Sequence, residues 1–319
     1  SRRLGLVAAL LGLSLGAGGV TAQTTSGRPI RMVVPLPAGT ATDLAARVLG
    51  QQLSGILGQP VVVDNKPGAN GVIGTMEVVR SAPDGLTLLL GSQSPIATNA
   101  VLVKNLSYDP RKDFTPINGF AETMHVLMVR PDFPVKTLPE FIAYAKERPG
   151  KVTVGTSTTA VNVQIATLNT MGGVQLLPVP YKGIPASIGD VIGGSLDATL
   201  VDLSNALAQA KAGKLRAVAV TSLKRNPLVP DWPAIAETLP GYDLTSWVAL
   251  VGPANMPRDV AERLNAAVGQ ALKHPEVLER LTGIGMTPMP MTPSQLGSFI
   301  DAEISKWGRL AREAKVEPQ

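Results

Sequence analysis

The sequence predicts an α/β fold on mostly parallel sheets. Three observations predict it. Short β-branched runs alternate with longer stretches of helical period over much of the chain. The 32 Gly and 27 Pro fall between those segments and mark turns rather than disorder. Two strand-to-helix loops, "PAGTATD" (Pro37–Asp43) and "VGTSTTAVN" (Val154–Asn162), share a composition of Gly with several Thr or Ser, and neither holds Lys, Arg or Glu. That pairing implies two similar lobes, each with one polar loop.

The first segment in order is an export signal. "SRRLGLVAALLGLSLGAGGVTAQ" has a basic start, Arg2-Arg3, and an apolar run from Leu4 to Ala17. Val20 and Ala22 then stand at the −3 and −1 positions of a cleavage site. The run is short for a membrane span. The expected mature chain begins near Gln23 and is exported.

Strands are expected at Ile30–Val34, Val61–Asp64, Leu86–Leu90, Met124–Arg130, Val152–Val154, Gln175–Val179, Ala198–Val201 and Ala217–Thr221. Helices are expected at Asp43–Leu57, Val72–Ser81, Leu138–Arg148, Val163–Met171, Pro185–Gly193 and Asn205–Ala212. Beyond about Pro233 the pattern changes. One strand-like stretch, Leu244–Val251, precedes helical segments near Pro257–Lys273, Pro275–Thr282 and Pro293–Lys315. Thr292, Pro293 and Gln295 form a helix start with cap, first-turn proline and capping box.

Charge and composition exclude several functions. The formal net charge is +5, and loss of Arg2 and Arg3 would leave +3. The chain shows no Lys/Arg run and no aromatic–basic interleaving, which argues against nucleic acid as a partner. With no Cys, the protein has neither disulfides nor thiolate metal sites, and a core of Val, Leu, Ile and Ala must hold it together. The only two His, His125 and His274, are far apart in sequence, so no metal is expected. "GANGVIG" (Gly68–Gly74) lacks the dinucleotide spacing and reads as a tight turn into a helix, so no cofactor is expected. The sole G-x-S-x-G match, "GLSLG" (Gly12–Gly16), lies within the signal segment, and no catalytic residue is assigned.

The two polar loops carry the functional expectation. In open parallel sheets, ligands sit at the carboxyl ends of strands, where loops lead into helix N-termini. Those termini offer free N–H groups and the positive end of a dipole, which favour anions. Gly lets backbone approach a ligand, and Thr or Ser adds hydroxyl donors. Each loop therefore suits a carboxylate without a cationic side chain. Ordinary helix capping by Thr40 or Thr42, with Asp43 facing the dipole, accounts for one such loop equally well. "LGSQSP" (Leu90–Pro95) offers Ser92 as a third loop, and "PVPYKG" (Pro178–Gly183) and "LVDLSNA" (Leu200–Ala206) follow further strands. Asp202 there suits either a ligand ammonium or hydroxyl, or the cap of the next helix. A secreted α/β hydrolase or transferase using the same cleft is the alternative, and needs a nucleophile with a base in reach.

Several motifs together resemble the Bug-type extracytoplasmic solute receptors of the tripartite tricarboxylate transporters. They are "VVVDNKPGANGVIG", "PDGLTLLLGS", "LSYDPRKDFTPI", "VPYKG", "AGKLRAVAVTS" and "LPGYDLTSWVALVGPANMP", in that order, and with "PAGTATD" they span nearly the whole mature chain. The resemblance implies a type II-like periplasmic binding protein, with two doubly wound lobes around a cleft and two crossings between them, near Phe120–Thr123 and Val220–Leu223. Residues 23–121 with 222–319 would form one lobe, and 122–221 the other. It implies a monomer that is not an enzyme and takes a small carboxylate: a di- or tricarboxylate, an amino acid or an aromatic acid. It also implies transporter membrane subunits as partners, or a sensory role. The ligand-binding residues it implies are Ala38, Gly39 and Thr40, then Ser92, then Thr156, Ser157, Thr158 and Thr159, with Gly183 and Asp202. Two departures bear on the ligand. The family usually has two adjacent Gly where this chain has Gly39-Thr40, and its second-lobe Gly, His and Glu are replaced at Thr158, Ala160, Gln164 and Leu168.

Overall fold

The Val, Ile and Leu runs pair into two separate sheets. A computed structural model describes residues 27–313 and 315–318, the Thr159 side chain excepted. The expected signal segment lies outside the described residues. In chain order the first elements are β1 (Ile30–Val34), α1 (Ala41–Leu57), β2 (Val61–Asn65), α2 (Val72–Val79), β3 (Thr87–Ser92), α3 (Asn99–Leu102) and β4 (Phe114–Thr123). Next come β5 (His125–Val129), α4 (Leu138–Lys146), β6 (Thr153–Thr156), α5 (Thr159–Gly172), β7 (Leu177–Pro180), α6 (Ile184–Ile192), β8 (Ala198–Asp202), α7 (Leu203–Lys211) and β9 (Arg216–Val220). The last are β10 (Ser246–Pro253), α8 (Arg258–Ala271), α9 (Pro275–Gly283), β11 (Thr287–Pro288) and α10 (Pro293–Glu313). A π-helical segment, Ser94–Thr98, joins β3 to α3.

The first sheet runs β11-β4-β10-β3-β1-β2 and the second β7-β6-β8-β5-β9. Setting aside β11, the two orders match strand for strand. In the first, β10 is antiparallel to β3 and β4, while β1, β2 and β3 are parallel. In the second, β5 is antiparallel to β8 and β9, while β6, β7 and β8 are parallel. Both sheets are thus mostly parallel with one reversed internal strand, and that strand is the one entered after a passage between lobes.

Alternating residues of one strand serve opposite faces, because side chains in a strand alternate. Ile30, Met32 and Val34 of β1 pack with α1, α8 and α9, whereas Val33 packs with Val78 of α2 and Leu296 of α10. Likewise Leu127 and Val129 of β5 pack with α4 and α5, and Val126 and Met128 with α6 and α7. Each sheet is therefore covered on both faces, giving the two α/β lobes expected.

The first passage is short. β4 ends at Thr123 and β5 begins at His125. The second is an excursion between β9 and β10, whose Val229 and Ala234 pack on the second sheet. The ends of these passages are tied together. His125 N donates to Thr221 Oγ1 (3.0 Å), Thr221 N to His125 O (2.9 Å) and Leu244 N to Thr221 O (2.9 Å).

β4, ten residues long, is the longest element the sequence reading passes over, with α3 and β11 the shorter ones. Its "FTPINGFAET" carries Pro116 and Gly119, and its pairing with β10 shifts register twice. Bulges of this kind break the two-residue period on which strand recognition rests. A Cβ on Gly119 would collide with the Met289 carbonyl, so the strand needs glycine there.

Candidate functional site

Matching strand order gives the two polar loops equivalent positions. One follows β1 and leads to α1, and the other follows β6 and leads to α5. β3 and β8, which lead to Ser92 and Asp202, are equivalent in the same sense. The carboxyl ends of the two lobes meet. The π-helical segment after Ser92 touches α5. A Cβ on Gly285, in the turn between α9 and β11, would lie 2.8 Å from Leu203 at the start of α7.

In the first loop the backbone turns at Gly39 (φ 82°), while Thr40 is extended (φ −73°, ψ 158°). The left-handed conformation falls on the residue without a Cβ, so Thr40 is accommodated without strain at the position where the resemblance implies a second Gly. Thr40 caps α1: its Oγ1 accepts from Asp43 N (3.3 Å) and donates to Pro37 O (2.9 Å). Asp43 is 2% exposed and accepts from Gly39 N (2.9 Å), Asn65 Nδ2 (3.0 Å) and Arg47 Nε (3.1 Å). Asn65 also donates to Leu36 O (3.1 Å). One buried carboxylate thus clasps the loop to the end of β2. Burial pushes the Asp43 carboxyl up, but the bonds from Arg47, Gly39 and Asn65 outweigh it and hold the group below its ordinary range.

The second loop repeats the cap. Thr158 is extended (φ −146°, ψ 162°) and its Oγ1 accepts from Val161 N (3.3 Å). Thr156 is buried, and its carbonyl accepts from Tyr181 N (2.8 Å), which ties this loop to the one carrying Gly183. Thr159 opens α5. An α-helix leaves its first amides without an intrahelical acceptor, so α1 and α5 each present donors beside a Thr cap.

The remaining expected residues divide by exposure and partners. Ala38 and Gly39 are exposed, and Ser92, Ser157, Thr158 and Gly183 are half-buried. Asp202 is buried and caps α7: it accepts from Asn205 N (3.0 Å), Asn205 Nδ2 (2.8 Å) and Ser204 Oγ (2.5 Å). It lies opposite His125 in the β5–β8 register. Among the described residues, no hydrogen bond joins the Ala38–Thr40 loop to the Thr156–Thr158 loop.

Two groups beside the site have partners that the sequence does not show. His125 Nδ1 accepts from Gln164 Nε2 (3.1 Å), which also donates to Leu244 O (2.8 Å). Gln164 thereby links α5 to both passages between lobes. Burial pushes the His125 imidazole down to about 4, against the pull of the Asp202 carboxylate. The other group is Gln93, next to Ser92 and buried. Both glutamines find their partners far along the chain, so only the fold reveals them.

A family model described as tripartite tricarboxylate transporter family receptor matches residues 45–316. The chain is 34% identical over 313 residues to protein BugT of Bordetella pertussis, covering 96% of each. Among solved structures it is similar to Rpa4515 of R. palustris with adipate, with a TM-score of 0.87 and 32% identity over 92% of this chain and 99% of that one. It is also similar to MatC of Rhodopseudomonas palustris with bound malate, with a TM-score of 0.81 and 31% identity over 90% of this chain and 99% of that one.

Proposed function

Since the chain belongs to the tripartite tricarboxylate transporter receptor family, we propose that it captures a small organic carboxylate between its lobes and delivers it to membrane subunits of such a transporter. It is a solute-binding receptor and not an enzyme. The observation that carries the carboxylate reading is the pair of helix N-termini, capped by Thr40 and Thr158, at equivalent strand ends of facing lobes. Backbone amides and hydroxyls there supply charge-assisted hydrogen bonds to a carboxylate with no cationic side chain. The adipate and malate in the two solved relatives support the same class of solute.

In this reading Ala38–Thr40 and Ser92 face the solute from the first lobe. Thr156–Thr159, Gly183 and Asp202 face it from the second. Hinge closure about the two passages encloses it. The signal segment, 1–22, exports the chain to the periplasm, where it works as a monomer. No described helix is long and apolar enough to cross a membrane.

A thermal-shift screen of the chain from Gln23 onward tests the reading with malate, adipate, glutamate and benzoate. A bound solute at a hundred times its Kd adds about 2.7 kcal/mol of stability, a rise of several degrees in Tm. A folded protein whose Tm none of the four raises counts against it.

A further inference from the structure

Behind the loop that follows β3, one carboxylate oxygen gathers three donors. Glu303 Oε2, on α10, accepts from Gln93 Nε2 (3.1 Å), Trp247 Nε1 (2.9 Å) and Trp307 Nε1 (2.9 Å). Its Oε1 accepts from Lys306 Nζ (3.3 Å). Glu303 is 6% exposed, and Gln93, Trp247 and Trp307 are at most 1% exposed. A buried carboxylate is costly unless fully bonded, and an apolar residue would fill the space at less cost. Its placement therefore calls for a role besides packing.

The three donors belong to different parts of the molecule. Gln93 adjoins Ser92 and precedes the π-helical segment, and π-helical insertions recur at functional sites. Trp247 lies on β10 in a first-lobe cluster. Trp307 is buried in the cluster of α5 and the second sheet. Yet α10 begins on the first lobe, through Leu296, Ile300 and Ile304. This helix thus spans both lobes, and the π-helical segment touches it as well as α5. The Gln93 amide oxygen is buried with no hydrogen-bond partner among the described residues, so Glu303 is the side chain's one polar hold.

We propose that Glu303 is a positioning residue for solute capture, fixing Gln93 and the adjoining Ser92 loop to the helix that spans both lobes. The proposal rests on the carboxylate-receptor reading above. Binding at the Ser92 loop is transmitted through Gln93 to Glu303, and so to the two indoles that share its oxygen.

The test uses the chain from Gln23 onward with Trp232→Phe, which leaves Trp247 and Trp307 as the emitters among its three Trp. Isothermal titration with malate, adipate, glutamate and benzoate finds the solute bound most tightly, and tryptophan emission is followed with that solute. Emission is expected to shift on binding. Adding Glu303→Gln is expected to weaken binding at least tenfold and to remove the emission response, with the circular dichroism spectrum unchanged. Gln93→Met cuts the tie from the loop side, leaves both indole bonds in place and is expected to weaken binding to the same degree. If Glu303→Gln does not fold, Gln93→Met decides. Affinity within twofold of the parent in Gln93→Met, or in folded Glu303→Gln, overturns the proposal. Should the parent bind none of the four solutes, the receptor reading fails and this one with it.

Discussion

His125 sits at the start of β5 with its ring buried, accepting a hydrogen bond from Gln164 that only the neutral ring can take. Its pKa falls from an ordinary 6.5 to about 4 because burial disfavours the charge. The folded state therefore binds fewer protons than the unfolded state between these values. The stability this contributes is complete above pH 6.5 and is lost as pH falls toward 4, to a total of about 3 kcal/mol. Asp43 is also depressed in the folded state, so its contribution is present above 3.8 and is lost at lower pH still. Urea denaturation at pH 7 and pH 4.5 is expected to show a large drop in stability, and His125→Gln to flatten it. Equal stability of the parent at both values would refute the assignment. At this scale the sequence reveals caps but not clasps. Thr40 stands three residues before Asp43, a local spacing that can be read directly. The bond from Asn65 to Asp43 spans 22 residues and exists only because β1 and β2 are neighbours.

Among the elements, α2 shows how a helix is selected for closeness rather than for propensity. Gly74 lies in its first turn, and within a helix alanine ordinarily gains up to about 1 kcal/mol over glycine. A Cβ at Gly74 would stand 2.6 Å from the Lys66 carbonyl and 3.1 Å from Pro35 Cα. Backbone cannot yield as a side-chain tip does, so the collision outweighs the propensity gain. Gly74→Ala is expected to destabilise by about 1–3 kcal/mol, read from its urea midpoint, and a rise in stability would contradict this packing. The "GANGVIG" stretch thus owes a glycine to the approach of α2 to β2 and the first loop. α1 was legible because it buries one regular face, and β5 because it is a short continuous apolar run buried on both. β4 was not, because bulges next to its Pro and Gly, at Ile117 and Phe120, erase that regularity.

Over the whole molecule, the lobes are not independent bodies joined by two thin strands. α10 contributes Ile300 and Ile304 to one core and Trp307 and Ala311 to the other. Unfolding one lobe removes part of the packing of its neighbour, so calorimetry is expected to show a single transition. Ala311→Asp, which places a charge in the second core, is expected to lower that transition and to broaden or split it, whereas an unchanged profile would show the contact to be unimportant. The two-lobed plan was legible from the paired Thr loops and the motif set, but the bridging role of α10 was not. An amphipathic helix announces that it has a buried face, not how many cores that face serves.

The position of β10 has a consequence for the order in which the molecule can be assembled. The second sheet uses one continuous stretch, β5 to β9, whereas the first needs β10 inserted between β3 and β4. A chain that emerges from its N-terminus presents β1 to β4 first, yet that sheet lacks its central strand until Pro253 is out. The sheet begun second is therefore the first able to close, and the sheet begun first is completed from the C-terminal end.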